Sequence, residues 1–460
     1  LSIAGSSGSG SRSLRFGAGE WIARAKALFS DQSHHSIAHR AAGSAFLMRV
    51  ASAALAYVSQ ILFARWMGRF EFGLYVYVWT WLLLLGSFVP LGISSSAQRF
   101  IPEYSGRGDL DRLRGFLLAS RLLPIFAGVV IAALGAAAVH VLGDRVPAYY
   151  LAPLALVCFC LPVHGVSDVN GGLARSFNWI NLAMAPAYLL RPVLLLGGMA
   201  AVHFAGVSPS AVIAMGFAVA VYWATTVGQS FALDRRLRRQ IPAGPRRYEL
   251  AFWLATALPI FLVEGFYFLL AYTDVLVLDL FAGPDDVAVY YAATKTLAIV
   301  AFVYFSVSAV TAHRFSEYHV SGARERLEAF IADAIRWTFW PSLAITACFL
   351  AFGQPLLNLF GEGFDHGYPW MFVLAIGLMA RASIGPVERL LNMVGEQRLC
   401  AAIYAGAFAI NLVLCFVLIP RIGPLGAAIA IASAMVAESA LLYLVAKRRL
   451  GIHAFIWRRR

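Results

Sequence analysis

Charge is scarce in this chain. Only 13% of its 460 residues are charged, and its 24 carboxylates are outnumbered by 37 lysines and arginines. Cysteine is scarcer still: Cys158, Cys160, Cys348, Cys400 and Cys415 are all there are, each in or beside an apolar run. That spacing supplies neither a disulfide framework nor a metal-ligand set, and the five read as small core residues. Strand-like alternation is absent, which argues against a membrane barrel. Nothing resembles a nucleotide-binding loop, and no nucleophile has a base at suitable spacing, so ATP hydrolysis within the chain is not expected to drive it. No apolar stretch precedes residue 43, so no secretory signal is expected. No basic face interleaves with aromatics on a soluble element, so no nucleic-acid partner is expected.

What the chain has is apolar surface. The apolar fraction is 60% and the mean hydropathy +0.72, more than a soluble protein of this length can bury. Twelve apolar runs lie at 43–64, 73–95, 116–142, 149–167, 181–205, 209–232, 251–280, 287–311, 330–353, 368–393, 399–420 and 424–446. Each is near or above the ~20 residues that a helix needs to cross the hydrocarbon layer. In lipid the backbone must bond within its own segment, so these runs are expected to be helices. With both termini on the cytoplasmic side, 26 of the 37 basic residues fall on that side and four (Arg65, Arg69, Arg145 and Arg421) on the other. The net charge of +13 is then mostly a topogenic signal.

Two stretches repeat. Arg99-Phe100, Glu103-Tyr104, Gly108, Asp111-Arg112-Leu113 and Phe116 recur 215 and then 214 positions later as Arg314-Phe315, Glu317-Tyr318, Gly322, Glu325-Arg326-Leu327 and Phe330. Gly68, Glu71 and Tyr75 recur as Gly283, Asp286 and Tyr290. Each copy holds six spans, an even number, so both enter the membrane from the same side. That predicts parallel repeats about an axis along the membrane normal. The expected organisation is a cytoplasmic arm at 1–40, a first lobe at 41–232, a basic linker at 233–250, a second lobe at 251–447 and a basic tail at 448–460. Within the arm, Glu20 to Ser30 has the pattern of a short surface-lying amphipathic helix; disorder is the alternative.

Particular residues carry a family resemblance. Phe63-Ala64-Arg65-Trp66-Met67-Gly68-Arg69-Phe70-Glu71-Phe72-Gly73-Leu74-Tyr75 resembles the first-helix exit of the polysaccharide flippases of the multidrug/oligosaccharidyl-lipid/polysaccharide exporter superfamily. Gln98-Arg99-Phe100 through Gly108-Asp109 resembles their second cytoplasmic turn, and Thr273-Asp274-Val275-Leu276-Val277-Leu278 their seventh helix. Asn411 through Ile419-Pro420-Arg421-Ile422-Gly423-Pro424-Leu425-Gly426-Ala427-Ala428 resembles the turn between their last two helices. The resemblance runs from about residue 41 to 447. It implies an all-α integral membrane protein of the bacterial inner membrane, with twelve helices in two six-helix lobes, like the multidrug and toxin exporters. It also implies a flippase that moves an undecaprenyl-pyrophosphate-linked oligosaccharide between leaflets for lipopolysaccharide O-antigen or exopolysaccharide assembly. Partners would be that lipid-linked substrate, membrane lipids and a polysaccharide polymerase. The alternative is an ion-coupled multidrug cation antiporter of the same superfamily; an enzyme is not expected, since the outer loops are short and nearly uncharged.

Ionisable residues within the spans are the site candidates, because a charge at membrane depth costs several kcal/mol unless it faces a cavity or a partner. Arg191 is about ten residues into its span and is followed by Pro192. Arg49 and Arg121 either line a cavity or reach back to the cytoplasmic surface. With Lys295 and Arg381 they form the expected substrate-binding set, since guanidinium groups offer forked donors to phosphate oxygens. Glu264 stands at the repeat position of Arg49, an offset of 215. It is either a gate partner for Arg49, a coupling-ion site, or half of a helix–helix salt bridge. Asp274, which Lys295 could pair with, is the second candidate for coupling to Na⁺ or H⁺. Asp333 and Arg336 read as a surface pair, Asp279 as interfacial, and most of the aromatics as membrane-interface residues.

The topology is testable. In a cysteine-free background, Gly244→Cys should react with a membrane-impermeant maleimide only from the cytoplasmic side, and Asp144→Cys only from the other. Labelling of both from one side would overturn the orientation.

Overall fold

The computed structural model describes residues 34–321 and 323–457, and among these every regular element is a helix. The first two crossings share one long helix, His34–Phe88, which turns at Gly68 and is followed by Ile93–Arg107. The next five are Leu110–Leu142, Ala148–Ser176, Ile180–Phe204, Ala211–Gln240 and Leu250–Ala282. The eighth is Pro284–Ala298 with Ala301–Val320, the ninth Arg324–Ala351, and the tenth Tyr368–Ile384 with Val387–Met393. Gln397–Ile422 and Pro424–Val445 complete the set. Among the described residues, ten helices are long and apolar enough to cross singly, and the bent pair at 284–308 makes an eleventh. The stretch Met48–Arg107, 60 residues long, would reach ~90 Å as one helix, about three times the hydrocarbon thickness. Broken at Gly68 it supplies two crossings, and the total is twelve. This is a multi-pass membrane protein.

The repeat is visible in the backbone. Gly68 has φ 75° and ψ 173°, and Gly283, its counterpart 215 positions on, has φ 79° and ψ 177°. A side chain is strained in that left-handed region, so glycine closes the same corner in both lobes. Nearby, Gly73 lies so close to the start of the eighth crossing that an added Cβ would fall 1.8 Å from the Pro284 carbonyl oxygen. The two lobes meet backbone to backbone there.

The hydrophobic core is divided unequally. On the face opposite the chain termini, a single cluster joins both lobes, with Phe72, Tyr75, Tyr150 and Met215 of the first lobe and Tyr290, Phe360, Phe364 and Cys415 of the second. Polar contacts reinforce it: Tyr57 and Thr296 share a hydrogen bond of 3.1 Å, and Tyr150 donates to Asp279 at 2.6 Å. At its rim Arg65 donates to the Leu359 carbonyl at 2.6 Å and Arg69 pairs with Asp285 at 3.5 Å. On the terminal face the core splits in two. One cluster holds Ile93, Phe100, Phe116 and Leu173 of the first lobe, and the other Phe315, Ile335, Leu390 and Leu442 of the second. The lobes are therefore joined at one face and separated at the other. The seventh crossing bridges them: its first turns pack on the first lobe, where Trp253 donates to Tyr104 at 2.9 Å and Glu249 pairs with Arg112 at 2.9 Å.

Several expectations need correction. The second, eighth and tenth crossings are broken rather than continuous. The second breaks at Val89–Gly92, where Leu91 and Gly92 have positive φ, the eighth near Ile299 with a bend of 41°, and the tenth at Gly385-Pro386. Proline and glycine at 90, 92, 385 and 386 account for two of the three breaks. The sixth crossing continues two turns beyond residue 232, to Gln240, so Arg235, Arg236, Arg238 and Arg239 ride on a helix end rather than in a loop. Residues 241–249 are stitched to the third crossing, with Arg114 donating to the Pro242 carbonyl at 2.8 Å and Arg247 N to Asp111 O at 2.9 Å. The tail folds back under the second lobe, burying Ile452 and Ala454. Asp279 is half-buried at the lobe junction rather than interfacial, and Cys348 is exposed rather than in a core. Asp333 and Arg336 do form an exposed pair, at 3.3 Å. The amphipathic segment at Glu20 to Ser30 lies outside the described residues.

Gly73→Ala should lower the thermal midpoint in detergent, by the equivalent of about 1–3 kcal/mol of overpacking. Gly106→Ala, which meets nothing within 4 Å, should leave it unchanged. Equal midpoints for the two variants would show that the lobe junction yields freely.

Candidate substrate cleft

Where the core divides, charged side chains gather. In the fifth crossing, Pro186 and Pro192 bracket a wide π turn at Pro186–Leu190, and Arg191 follows it directly. Its Nε donates to Thr225 Oγ1 at 3.0 Å, and a second guanidinium nitrogen bonds Ser167 Oγ. The guanidinium carbon lies 4.1 Å from the Tyr222 ring centroid, and Tyr222 in turn stacks on His164. Among the described residues Arg191 makes no ion pair. Neutral hydroxyls and an aromatic face hold it directly, with the Asp168 carboxylate close enough to act on it electrostatically but beyond ion-pair distance. It is half-exposed.

Around the break in the second crossing lies a second group. Ser95 Oγ donates to Glu264 at 2.6 Å, Ser94 Oγ to the Asp168 carbonyl at 3.0 Å, and Arg175 to Ser94 Oγ at 3.2 Å. Asp168 is exposed although helices surround it, so it faces a cleft rather than lipid. Arg49 is also exposed, with its guanidinium 5.9 Å from the Tyr188 ring. Arg49 and Glu264 are not bonded to each other; each has its own neighbour in the first lobe. The helix break frees backbone groups at membrane depth, which is tolerated where they line a cleft or are covered by protein.

The remaining candidates lie elsewhere. Arg121 pairs with Asp234 at 2.5 Å across the seam between the third and sixth crossings. Asp274 is only 4% exposed and sits in the shared core; it accepts from the Tyr290 hydroxyl at 2.5 Å while its other oxygen has no partner. Lys295 is half-exposed, 4.8 Å from the Tyr291 ring centroid, and makes no ion pair with Asp274. Arg381 pairs with Glu438 of the twelfth crossing at 3.3 Å and bonds the Tyr404 hydroxyl at 3.4 Å. Its guanidinium lies 5.2 Å from the Tyr304 ring and 6.0 Å from the Tyr267 ring.

The two lobes thus offer one arrangement in two electrostatic versions. Ser167 and Arg381 are 214 positions apart, the repeat offset, on the fourth and tenth crossings. In the first lobe a guanidinium reaches in from the fifth crossing to Ser167 and meets Tyr222 and Thr225 of the sixth. In the second lobe the guanidinium belongs to the tenth crossing itself and meets Glu438 of the twelfth. The first guanidinium has no carboxylate within ion-pair distance among the described residues, and the second has one.

Comparison with known proteins follows this geometry. A family model described as polysaccharide biosynthesis protein matches residues 39–319, well over half of the chain. The chain belongs to that family. A second model, MatE, matches residues 259–417. Among solved structures, an inward-facing multidrug resistance MATE family transporter of the MOP superfamily superposes with a TM-score of 0.71 at 17% identity, covering 88% of this chain and 94% of that one. The lipid II flippase MurJ, in an inward closed conformation, gives a TM-score of 0.64 at 16% identity over 87% of both chains. A MOP superfamily transporter from Pyrococcus furiosus, described as having a binding pocket of reversed polarity, gives 0.63 at 17% identity over 88% and 94%. No curated protein matches the chain. These relatives are transporters, and the chain shares their fold.

For this member of the polysaccharide biosynthesis family, sequence reading missed three partners. Glu438 was detectable, since it is the sole acidic residue in the run 424–446 and an intramembrane carboxylate is informative by itself. Ser167 and Thr225 carry no such mark; hydroxyls are common in membrane helices, and only packing shows which one meets Arg191. Arg121 and Asp234 should behave as a structural couple. Arg121→Ala and Asp234→Ala should each lower the thermal midpoint, and the double variant should lose no more than the worse single one. Strict additivity would show that the pair is not coupled.

Proposed function

We propose that this protein is a lipid-linked oligosaccharide flippase. In this reading it carries an undecaprenyl-pyrophosphate-linked oligosaccharide across the bacterial inner membrane by alternating access, for lipopolysaccharide or exopolysaccharide assembly, and catalyses no covalent reaction. The terminal face is cytoplasmic, following the basic residues, so the cleft opens inward and the joined face seals the outside. The observation that carries the reading is Arg191, a guanidinium at membrane depth held by two hydroxyls and a ring with no carboxylate on it. Such a group welcomes a polyanion, because no carboxylate occupies its donors directly. Arg49, exposed nearby, extends the positive surface. Lys295 and Arg381 serve the second lobe, and Arg121 supports the first through Asp234. The lipid tail stays in the bilayer beside the cleft while the pyrophosphate and sugars pass through it, and a polymerase receives the product.

Drive by a Na⁺ or H⁺ gradient is part of the proposal, with Glu264 and Asp274 as coupling carboxylates. Glu264 has a direct route to cleft water; Asp274 would act only after its core opens. One observation favours the alternative, a multidrug cation antiporter: Glu264 and Asp168 put two carboxylates on the cleft. Efflux of cationic dyes from cells expressing the protein would favour that alternative.

Arg191→Ala should reduce surface glycan at least tenfold in a strain that depends on this protein, with unchanged protein level in the membrane. Arg191→Lys should fall between, since an ammonium keeps the charge but cannot fork between Ser167 and Thr225. Wild-type glycan in the alanine variant would remove Arg191 from the pathway.

A further inference from the structure

Glu438 is placed where a carboxylate is least comfortable. It is 1% exposed, and neither of its oxygens has a hydrogen-bond partner. Among the described residues its one ion-pair contact is the 3.3 Å approach of Arg381. Arg381 is equally under-used: among the same residues, beyond Glu438 it has the long bond to Tyr404 and the faces of Tyr304 and Tyr267. Its side chain keeps 21% exposure, so Glu438 does not seal Arg381 off. A structural ion pair at this depth would normally have its remaining donors and lone pairs filled. This pair has not, and the same place in the first lobe shows what a guanidinium without a carboxylate looks like.

We infer that Glu438 and the anionic headgroup of the substrate compete for Arg381, and that a proton on Glu438 decides between them. With Glu438 ionised, Arg381 is neutralised and offers the substrate no net charge of its own. When Glu438 takes a proton from cleft water, its hold on Arg381 weakens and the guanidinium is free to turn its forked donors to a phosphate. No covalent bond changes; one proton enters with one anion, and it leaves when Glu438 recaptures Arg381. The inference rests on the flippase reading and places the proton that accompanies anion binding on Glu438, beside the gradient-coupling carboxylates Glu264 and Asp274.

The surroundings contain the groups that such an exchange must reckon with. Arg381 faces Glu438 from the tenth crossing, and Glu388 and Arg389 lie on the short helix that follows it. Tyr404 and Cys400 face it from the eleventh, Tyr267 from the seventh and Tyr304 from the eighth. Lys295 looks toward Tyr291 and Tyr272 instead. Glu388 is already engaged, accepting from Tyr304 at 3.1 Å and from Asn392 at 3.2 Å. Among the described residues, that leaves Glu438 as the acidic partner of Arg381 without a hydrogen bond of its own.

The test uses the full-length protein in nanodiscs, with undecaprenyl pyrophosphate as probe. Wild-type affinity should fall as pH rises, by up to tenfold per unit, the limit for one coupled proton. Binding in weak buffer should take up protons. Glu438→Gln should bind with little pH dependence and take up none, whereas Asp333→Asn, in the exposed pair with Arg336, should retain both effects. If the wild type binds no probe at all, the flippase reading fails and takes the inference with it. If the wild type binds but Glu438→Gln keeps the pH slope, the inference alone is wrong. Should Glu438→Gln fail to fold, the wild-type measurement still decides: binding without proton uptake overturns the proposal.

Discussion

A bilayer leaves nowhere to put a charge or an open backbone group except against protein or water. That constraint organises this molecule. Arginines that do not reach a surface must face inward, and so must the breaks in the second, eighth and tenth crossings. Once inward, they cannot be packed over without leaving donors and acceptors unfilled. On the terminal face, where the core splits, Asp168, Arg49 and Arg191 are exposed or half-exposed. On the joined face the first-lobe surface is apolar and small-residue backbones touch, with Gly73 against Pro284 as the tightest contact.

The duplicated fold then allows differences between lobes to carry function. Both lobes turn their second helix at a glycine with nearly the same φ and ψ. Both place a guanidinium between their fourth and sixth helices. Only the second lobe adds a carboxylate to it. The seventh crossing ties the two lobes, since its beginning belongs to the core of one and its end to the core shared by both. Any motion that opens the joined face must move that helix against Tyr104, Phe116 and Arg112.

The amino-acid sequence by itself determined the number of crossings, the two matching halves and the residues whose charge had to be explained. These are properties of composition and periodicity, and the bilayer enforces them segment by segment. It also located Arg191 and Arg381, because a charge in an apolar run is conspicuous. Tertiary structure alone decided what each charge meets. Arg121 found Asp234, Arg381 found Glu438, and Arg191 found only hydroxyls and a ring, although the three look alike in their runs. Arg49 and Glu264, matched by the repeat offset, do not touch, because the seventh crossing leans onto the first lobe and gives Glu264 to Ser95. Pairing depends on which faces of distant helices are turned together, and that is set by the packing of the whole bundle rather than by any local pattern.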